Sequence, residues 1–246
     1  MHIYAVIIGT EILNGRRNDK HFTFLRDALL EYGYELYASF IIKDDPILIE
    51  NIYTMIKNDP NSIMFSFGGI GSTPDDLTRE IASKVFRQSK VKRNETFFKA
   101  IIEKFGKEAY PHRIHMAELP PDSQLLPNPV NNMSGFALDN RFFFMPGFPQ
   151  MSHPMVETVL KDFLGKNKAK HRLTLKAKTS ENELIHLMQQ TPKEIELSSL
   201  PILNDTTKEV ELSLSGENEK LIQTEFQRYL DFLKQKNIEF EILKIK

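Results

Sequence analysis

A glycine-rich turn set between a strand-length apolar run and a helix-patterned run constrains the local fold of this chain more than any other stretch. Residues 62–66 are Ser-Ile-Met-Phe-Ser, apolar and short enough for a buried strand. Phe67 then leads into Gly68-Gly69-Ile70-Gly71-Ser72-Thr73-Pro74-Asp75-Asp76-Leu77-Thr78, and residues 76–86 carry apolar side chains at helical spacing. A glycine-rich turn at this junction brings backbone N–H groups close to an anion, and the positive end of the helix adds its field. Asp75 and Asp76 oppose a bare phosphate cradle. They read either as first-turn helix residues favoured by the helix dipole or as the sign of a metal or a proton-transfer step beside the anion.

The same strand–turn–helix order occurs twice more upstream. Residues 3–8 are strand-like, 9–15 form a polar turn, and 19–32 have helical periodicity closed by Gly33. Residues 34–42 are β-rich and lead through Lys43-Asp44-Asp45 to Pro46, well suited to open a helix that continues over 47–57. Three such units predict a doubly wound α/β domain with a mostly parallel sheet and right-handed crossovers. Residues 94–105 read as a helix and 110–129 as an irregular proline-rich stretch. Residues 135–138 and 142–145 read as a hairpin turning at Asp139-Asn140-Arg141, and 151–164 as a helix.

A basic, apolar-poor tract at 166–170 marks a boundary, and the pattern then changes. Strands at 172–176, 194–197, 210–215 and 238–245 alternate with helices at 181–189 and 219–236. That β-α-β-β-α-β order describes a small α+β, ferredoxin-like module. The expected domains are 1–168 and 171–246. An edge-bearing sheet of this kind often pairs, so homo-oligomer contacts are an expected use of the module.

Composition excludes more than it assigns. The formal net charge of −1 gives no global attraction for nucleic acid or anionic membrane. With no cysteine there are no disulfides, thiolate metal sites or cysteine nucleophile, which fits a reducing cytoplasm. The apolar start at 1–8 is too short for a signal peptide, and no apolar run reaches membrane-spanning length. A soluble cytoplasmic protein without membrane or nucleic-acid partners is expected.

In an open parallel sheet, ligands bind beyond the carboxyl ends of the strands. Gly9-Thr10-Glu11, Asp44-Asp45, the loop from Gly68 to Asp76, and Pro146-Gly147-Phe148-Pro149 each follow a strand-like run, so all four can converge on one crevice. Glu11, Asp44 and Asp76 offer oxygen ligands for Mg²⁺, a hard ion that bridges to phosphates. The loop lacks the Gly-Lys-Ser/Thr ending of a nucleotide P-loop and fails the G-x-G-x-x-G spacing. His112 and His115 lie three apart in a proline-rich stretch without a helix to align them, and read as surface or packing residues.

The run from Gly9 to Arg16, then Asp19, then Gly68 to Thr78 resembles the molybdopterin-binding-like domain of CinA-type (competence/damage-inducible) proteins, whose fold recurs in enzymes of the MoaB/Mog type. Asn128-Pro129-Val130 to Gly135-Phe136 and Pro146-Gly147-Phe148-Pro149 resemble the family's later motifs. Ser180-Glu181-Asn182-Glu183-Leu184 and Ser199-Leu200-Pro201 resemble the small middle domain of CinA proteins. The resemblance implies a nucleotide or molybdopterin ligand, and metal-dependent cleavage of the pyrophosphate of ADP-ribose with Mg²⁺, Mn²⁺ or Co²⁺. It also implies that the C-terminal amidohydrolase domain of longer CinA proteins is lacking here. By the same resemblance Asp44 and Asp76 would bind metal or orient water with Glu11 assisting. Gly9, Thr10, Gly68, Gly69, Gly71, Ser72, Thr73, Asp75, Thr78, Gly135, Pro146 and Gly147 would form the ligand site. Recognition without turnover and molybdopterin adenylyl transfer are the alternatives.

Three departures bear on turnover more than on binding. The family's asparagine two places after the aspartate matching Asp19 is His21 here. Asn131-Asn132-Met133-Ser134-Gly135 replaces its Gly-Thr-Ala-Pro-Gly stretch, and Met151 stands where its glutamate does.

Overall fold

The computed structural model describes residues 1–168, 170–203 and 208–243. The chain divides into two compact units, Met1–Asn167 and Lys168–Lys246. No helix among the described residues is long and apolar enough to cross a membrane.

The first unit opens with β1 (His2–Ile8), the short helix α1 (Thr10–Leu13), α2 (His21–Glu31), β2 (Leu36–Ile42), α3 (Pro46–Asn58) and β3 (Ser62–Phe67). Next come α4 (Thr78–Ala82), β4 (Lys92–Arg93), α5 (Glu95–Phe105), β5 (Glu118–Leu119), β6 (Gln124–Leu126), the hairpin β7 (Gly135–Leu138) and β8 (Phe142–Met145), and α6 (Pro149–Val159). Six strands form one sheet in the order β2-β1-β3-β8-β7-β6. β2, β1, β3 and β8 pair in parallel, while β7 runs antiparallel to both β8 and β6. The sheet is thus mostly parallel with an antiparallel margin.

Alternation along the central strands explains why helices cover both faces. Tyr4, Val6 and Ile8 of β1 join Ile49, Tyr53 and Ile56 of α3, Ile81 of α4, and Phe97 and Ile101 of α5 in one core. Ile3, Ala5 and Ile7 join Leu25 and Leu29 of α2 and Met155, Val156 and Val159 of α6 in the other. All six residues of β3 are buried. A strand buried on both faces reads as a continuous apolar run, which is how 62–67 stands in the sequence.

Helix starts follow capping chemistry. Asp45 accepts the Leu48 N–H at 2.8 Å with Pro46 at the first helical position, and Asn94 accepts that of Phe97 at 2.9 Å. Asp19 accepts the N–H groups of His21 and Phe22 at 2.9 and 3.0 Å.

Two expectations are corrected. The helix read over 76–86 starts only at Thr78, the Asp76 side chain being turned back into the loop ahead of it; it is α-helical over Thr78–Ala82 and closes with a wider π turn over Ser83–Arg87. The stretch read as irregular at 110–129 holds a 3₁₀ turn (Arg113–Ala117), β5, which pairs with β4, and β6, which extends the main sheet. Strands of two or three residues are too short to show periodicity.

The second unit comprises β9 (His171–Ala177), α7 (Glu181–Met188), β10 (Glu196–Leu203), β11 (Lys208–Gly216), α8 (Glu219–Gln235) and β12 (Phe240–Leu243). The antiparallel sheet runs β10-β11-β9-β12, the split-βαβ arrangement. Pro201 lies in β10, an edge strand, where a missing N–H costs no ladder bond. Leu175, Val210, Leu212 and Leu214 pack on Ile222, Phe226, Tyr229 and Leu233 of α8. Of the strand expected at 238–245, residues 244 and 245 lie outside the described residues, as does Ala169 within the basic tract.

Candidate functional site

Four loops meet at the carboxyl ends of the parallel strands. Gly9 follows β1 and donates its N–H to Ile42 O at 3.0 Å, which ties the ends of β1 and β2. Gly68 follows β3 and donates to Met145 O at 2.9 Å, which ties β3 to β8. Pro146 and Gly147 follow β8. A Cβ on Gly147 would stand 3.3 Å from Gly68 Cα, so the two loops touch through glycines.

The loop after β3 is built by its own residues. Gly68 and Gly69 adopt φ of +103° and +67°. A side chain at Gly68 would meet Ile8 O at 2.4 Å, and one at Gly69 would meet Thr78 Oγ1 at 2.3 Å. Thr78 is fully buried; its N–H donates to Gly69 O and its hydroxyl to Gly68 O, both at 3.0 Å. Beneath it the buried Tyr53 hydroxyl bonds Ser66 Oγ at 2.7 Å. Burial holds the Tyr53 hydroxyl far above its usual range, so it stays protonated.

Asp76 ties the outer half of the loop. Its Oδ1 accepts the Gly71 N–H at 2.8 Å, and its Oδ2 accepts the N–H and hydroxyl of Thr73 at 2.8 and 2.6 Å. Arg79, 7% exposed, sits close enough to interact electrostatically with Asp76, while burial lowers its own affinity for the proton. Asp44 does for the β1 loop what Asp76 does here: its Oδ2 accepts the N–H and hydroxyl of Thr10, both at 2.8 Å. Both carboxylates therefore spend much of their hydrogen-bonding capacity on shaping loops.

These loops enclose a cleft of about 510 Å³. Of the residues expected at a site, Glu11, Asp44, Gly68, Gly69, Gly71, Ser72, Thr73, Asp75, Asp76, Pro146 and Gly147 line it. Gly9, Thr10, Thr78 and Gly135 do not. Gly9 and Thr10 belong to the wall behind Glu11 and Asp44, and Thr78 is a buried brace. Gly135 is a packing glycine of β7, whose Cβ would stand 2.3 Å from Phe144 O and 2.8 Å from Met155 Cε.

Several lining residues carry no signal in the sequence. Arg17 and Arg113 bring the positive charge to the cleft, and Phe97, Phe105, Met116 and Met133 give it apolar lining. Arg17 approaches Glu11 at 4.0 Å and lies 5.9 Å from the Phe148 ring. Met151 lines the cleft too, and the Asn131 side-chain amide reaches its sulfur at 3.4 Å.

His21, one of the departures, has a structural task. It is buried, stacks on Phe67 at 4.5 Å, and places Nε2 3.2 Å from Gly147 O. Burial lowers its proton affinity; the neutral ring with hydrogen on Nε2 donates to that carbonyl and holds the Gly147 turn. A second opening, of about 850 Å³, is bordered by His21, His153, Lys20 and Phe148.

No group of three or more His, Asp or Glu among the described residues is arranged to hold a metal ion. Asp44 and Asp76 supply two carboxylates to one cleft. That donor set suits a hard cation such as Mg²⁺, which keeps its waters and is commonly shared between one or two carboxylates and the phosphates of its ligand.

Comparison with known proteins gives concordant results. The model of a family described as a probable molybdopterin binding domain matches residues 4–166. A CinA-like protein of Citrifermentans bemidjiense is 30% identical over 183 residues, and one of Nostoc punctiforme 30% over 171. These matches take in 72% and 67% of this chain but only 44% and 41% of those relatives, so the chain spans less than half of their length. The crystal structure of a CinA protein of unknown function from Thermoplasma acidophilum superposes with a TM-score of 0.60 at 27% identity, over 66% of this chain and 97% of that one.

Proposed function

The chain belongs to the molybdopterin-binding domain family, and from that membership we propose that its first unit binds a nucleotide or pterin phosphate and cleaves the pyrophosphate of an ADP-ribose-like dinucleotide with a divalent cation. The observation that carries the binding half is the loop at 68–73. Glycines at positive φ, a buried Thr78 and the Asp76 carboxylate hold the loop rigid before any ligand arrives. Preorganised donors cost no reorganisation when charge appears in front of them. Arg17 adds a cation to the same cleft.

For cleavage, the cation would be held by Asp44 and Asp76 together with the diphosphate oxygens. When bound, it would neutralise charge that develops on the phosphoryl oxygens. The amides of Gly69 and Ser72 fix the diphosphate, and Glu11, half-exposed at the cleft wall, is the carboxylate available to orient water.

A second reading, recognition without turnover, is favoured by one observation: Met151 lines the cleft where the family's glutamate would stand. Adenylyl transfer to molybdopterin is a third expectation, and no feature of the cleft favours it over these two. Titration of the protein with inorganic pyrophosphate and with ADP, each with and without Mg²⁺, tests the binding half. Heat of binding for both ligands is expected, and silence with both would contradict it.

A further inference from the structure

The lining of the cleft is of two chemical kinds. One is the glycine-rich loop with its carboxylates and Arg17. The other is Phe97, Phe105, Met116 and Met133, side chains with nothing to offer a phosphate. Arg113 lines the same cleft. Its guanidinium lies 4.4 Å from the centroid of the Phe105 ring.

An arginine in a phosphate-binding cleft is first a candidate anchor for phosphate. Two observations argue against that use. The Arg113 charge is already partnered, since Nη1 donates to Glu108 Oε2 at 3.1 Å and to Glu108 O at 3.2 Å. Its guanidinium also lies against the Phe105 ring, which has nothing to offer a phosphate. What remains unused is a flat, delocalised plane held against an aromatic ring. Such a plane stacks on heteroaromatic bases in a way that a lysine cannot. Stacking favours a fused two-ring base over a single ring, because more surface is covered.

We infer that Arg113, braced by Phe105, is the residue that selects a fused-ring base in the cleft that the phosphate loop also lines. The inference rests on the phosphate-binding reading above and adds to it the class of group that the ligand carries beyond its phosphates. Arg113 lies on the 3₁₀ turn at Arg113–Ala117, and α5 ends at Phe105, so two separate elements form the clamp.

Calorimetric titration of the full chain with ADP, UDP and inorganic pyrophosphate tests this. Wild-type protein is expected to bind ADP more tightly than UDP. Arg113→Ala and Phe105→Leu should each weaken ADP binding about tenfold, the scale of one base stack, and leave pyrophosphate affinity unchanged. Arg113→Lys, which keeps the charge and loses the plane, should not restore ADP binding. Equal weakening of ADP and pyrophosphate in Arg113→Ala, or full rescue by lysine, would overturn the inference, because Arg113 would then be a phosphate anchor. Unchanged ADP binding in both Arg113→Ala and Phe105→Leu would overturn it as well, with the phosphate-binding reading intact. Wild-type protein that binds none of the three probes would remove that reading, and the inference with it. Pyrophosphate affinity also reports folding of the variants, since a misfolded protein would lose it.

Discussion

Asp76 holds the Gly71 amide at 2.8 Å with one carboxylate oxygen and takes the Thr73 N–H and hydroxyl with the other. The acid that follows the glycine-rich turn is therefore part of the turn. Asp76→Ala leaves the Gly71 N–H part-buried without its acceptor, at a cost of about 1–3 kcal/mol. ADP affinity should fall at least tenfold, since the loop loses its shape, while the thermal midpoint falls by only a few degrees. Calorimetry and thermal unfolding on one preparation check both.

Gly69→Ala should be harsher on stability. The new Cβ would stand 2.3 Å from Thr78 Oγ1, and alanine is strained at a φ of +67°. Left-handed backbone alone costs about 1–2 kcal/mol, or roughly 2–8 °C in Tm for a unit of this size, and the collision adds to it, so a larger drop than in Asp76→Ala is expected, together with loss of ADP binding. Gly15→Ala is the control: φ there is +77°, but nothing lies within 4 Å of the added Cβ, so strain acts without collision and the cleft is untouched.

Two histidines give the fold an acid limit. Burial lowers the proton affinity of both His21 and His153, and the two rings sit 5.5 Å apart, which lowers that of His153 further. The unfolded chain takes up these protons near the ordinary histidine value of 6.5, the folded chain only below it. Stability is therefore full above pH 6.5 and declines as the pH falls below it. His153 stacks flat on Phe24 with ring centroids 3.7 Å apart; His153→Phe should keep that stack while removing one titrating group. Urea midpoints measured between pH 5 and pH 8 should show a shallower decline in this variant, over about the range where histidine titrates.

The second unit has its own buried core, and the residues that line the cleft all belong to the first. We propose that the second unit corresponds to the small middle domain that CinA-type sequences place after the molybdopterin-binding-like domain. A chain ending at residue 168 should then remain folded and bind ADP with the affinity of the full chain. Size-exclusion chromatography followed by calorimetry measures both, and a tenfold loss of affinity would assign the second unit a part in binding.

Much of the fold was legible because both periodicities are strong where burial is complete. β1 and β3 stand out as apolar runs, and α5 and α8 as amphipathic helices with asparagine caps. β4, β5 and β6 left no such trace, since two or three residues cannot show alternation. At the cleft, glycines and acids at strand ends were readable because a turn with close backbone approach demands particular residue types. Their tasks were less so: Asp76 pairs with amides five and three residues back, and Thr78 braces a carbonyl ten residues back. Arg17 and Arg113 were invisible, because an arginine in a loop carries no pattern and only the tertiary fold brings it to the site. His21, a departure from the family's motif, became intelligible only with Gly147 beside it, 126 positions along the chain.

We propose that a rigid amide loop and two strand-end carboxylates form a site that cleaves a diphosphate. Incubating the full chain with ADP-ribose and Mg²⁺, Mn²⁺ or Co²⁺ and separating the products by anion-exchange chromatography tests it directly. AMP and ribose 5-phosphate are expected in equal amounts with at least one of these ions, and none after chelation. ADP-ribose that binds by calorimetry yet stays intact with all three would contradict it, and would identify a site that recognises its ligand without turning it over.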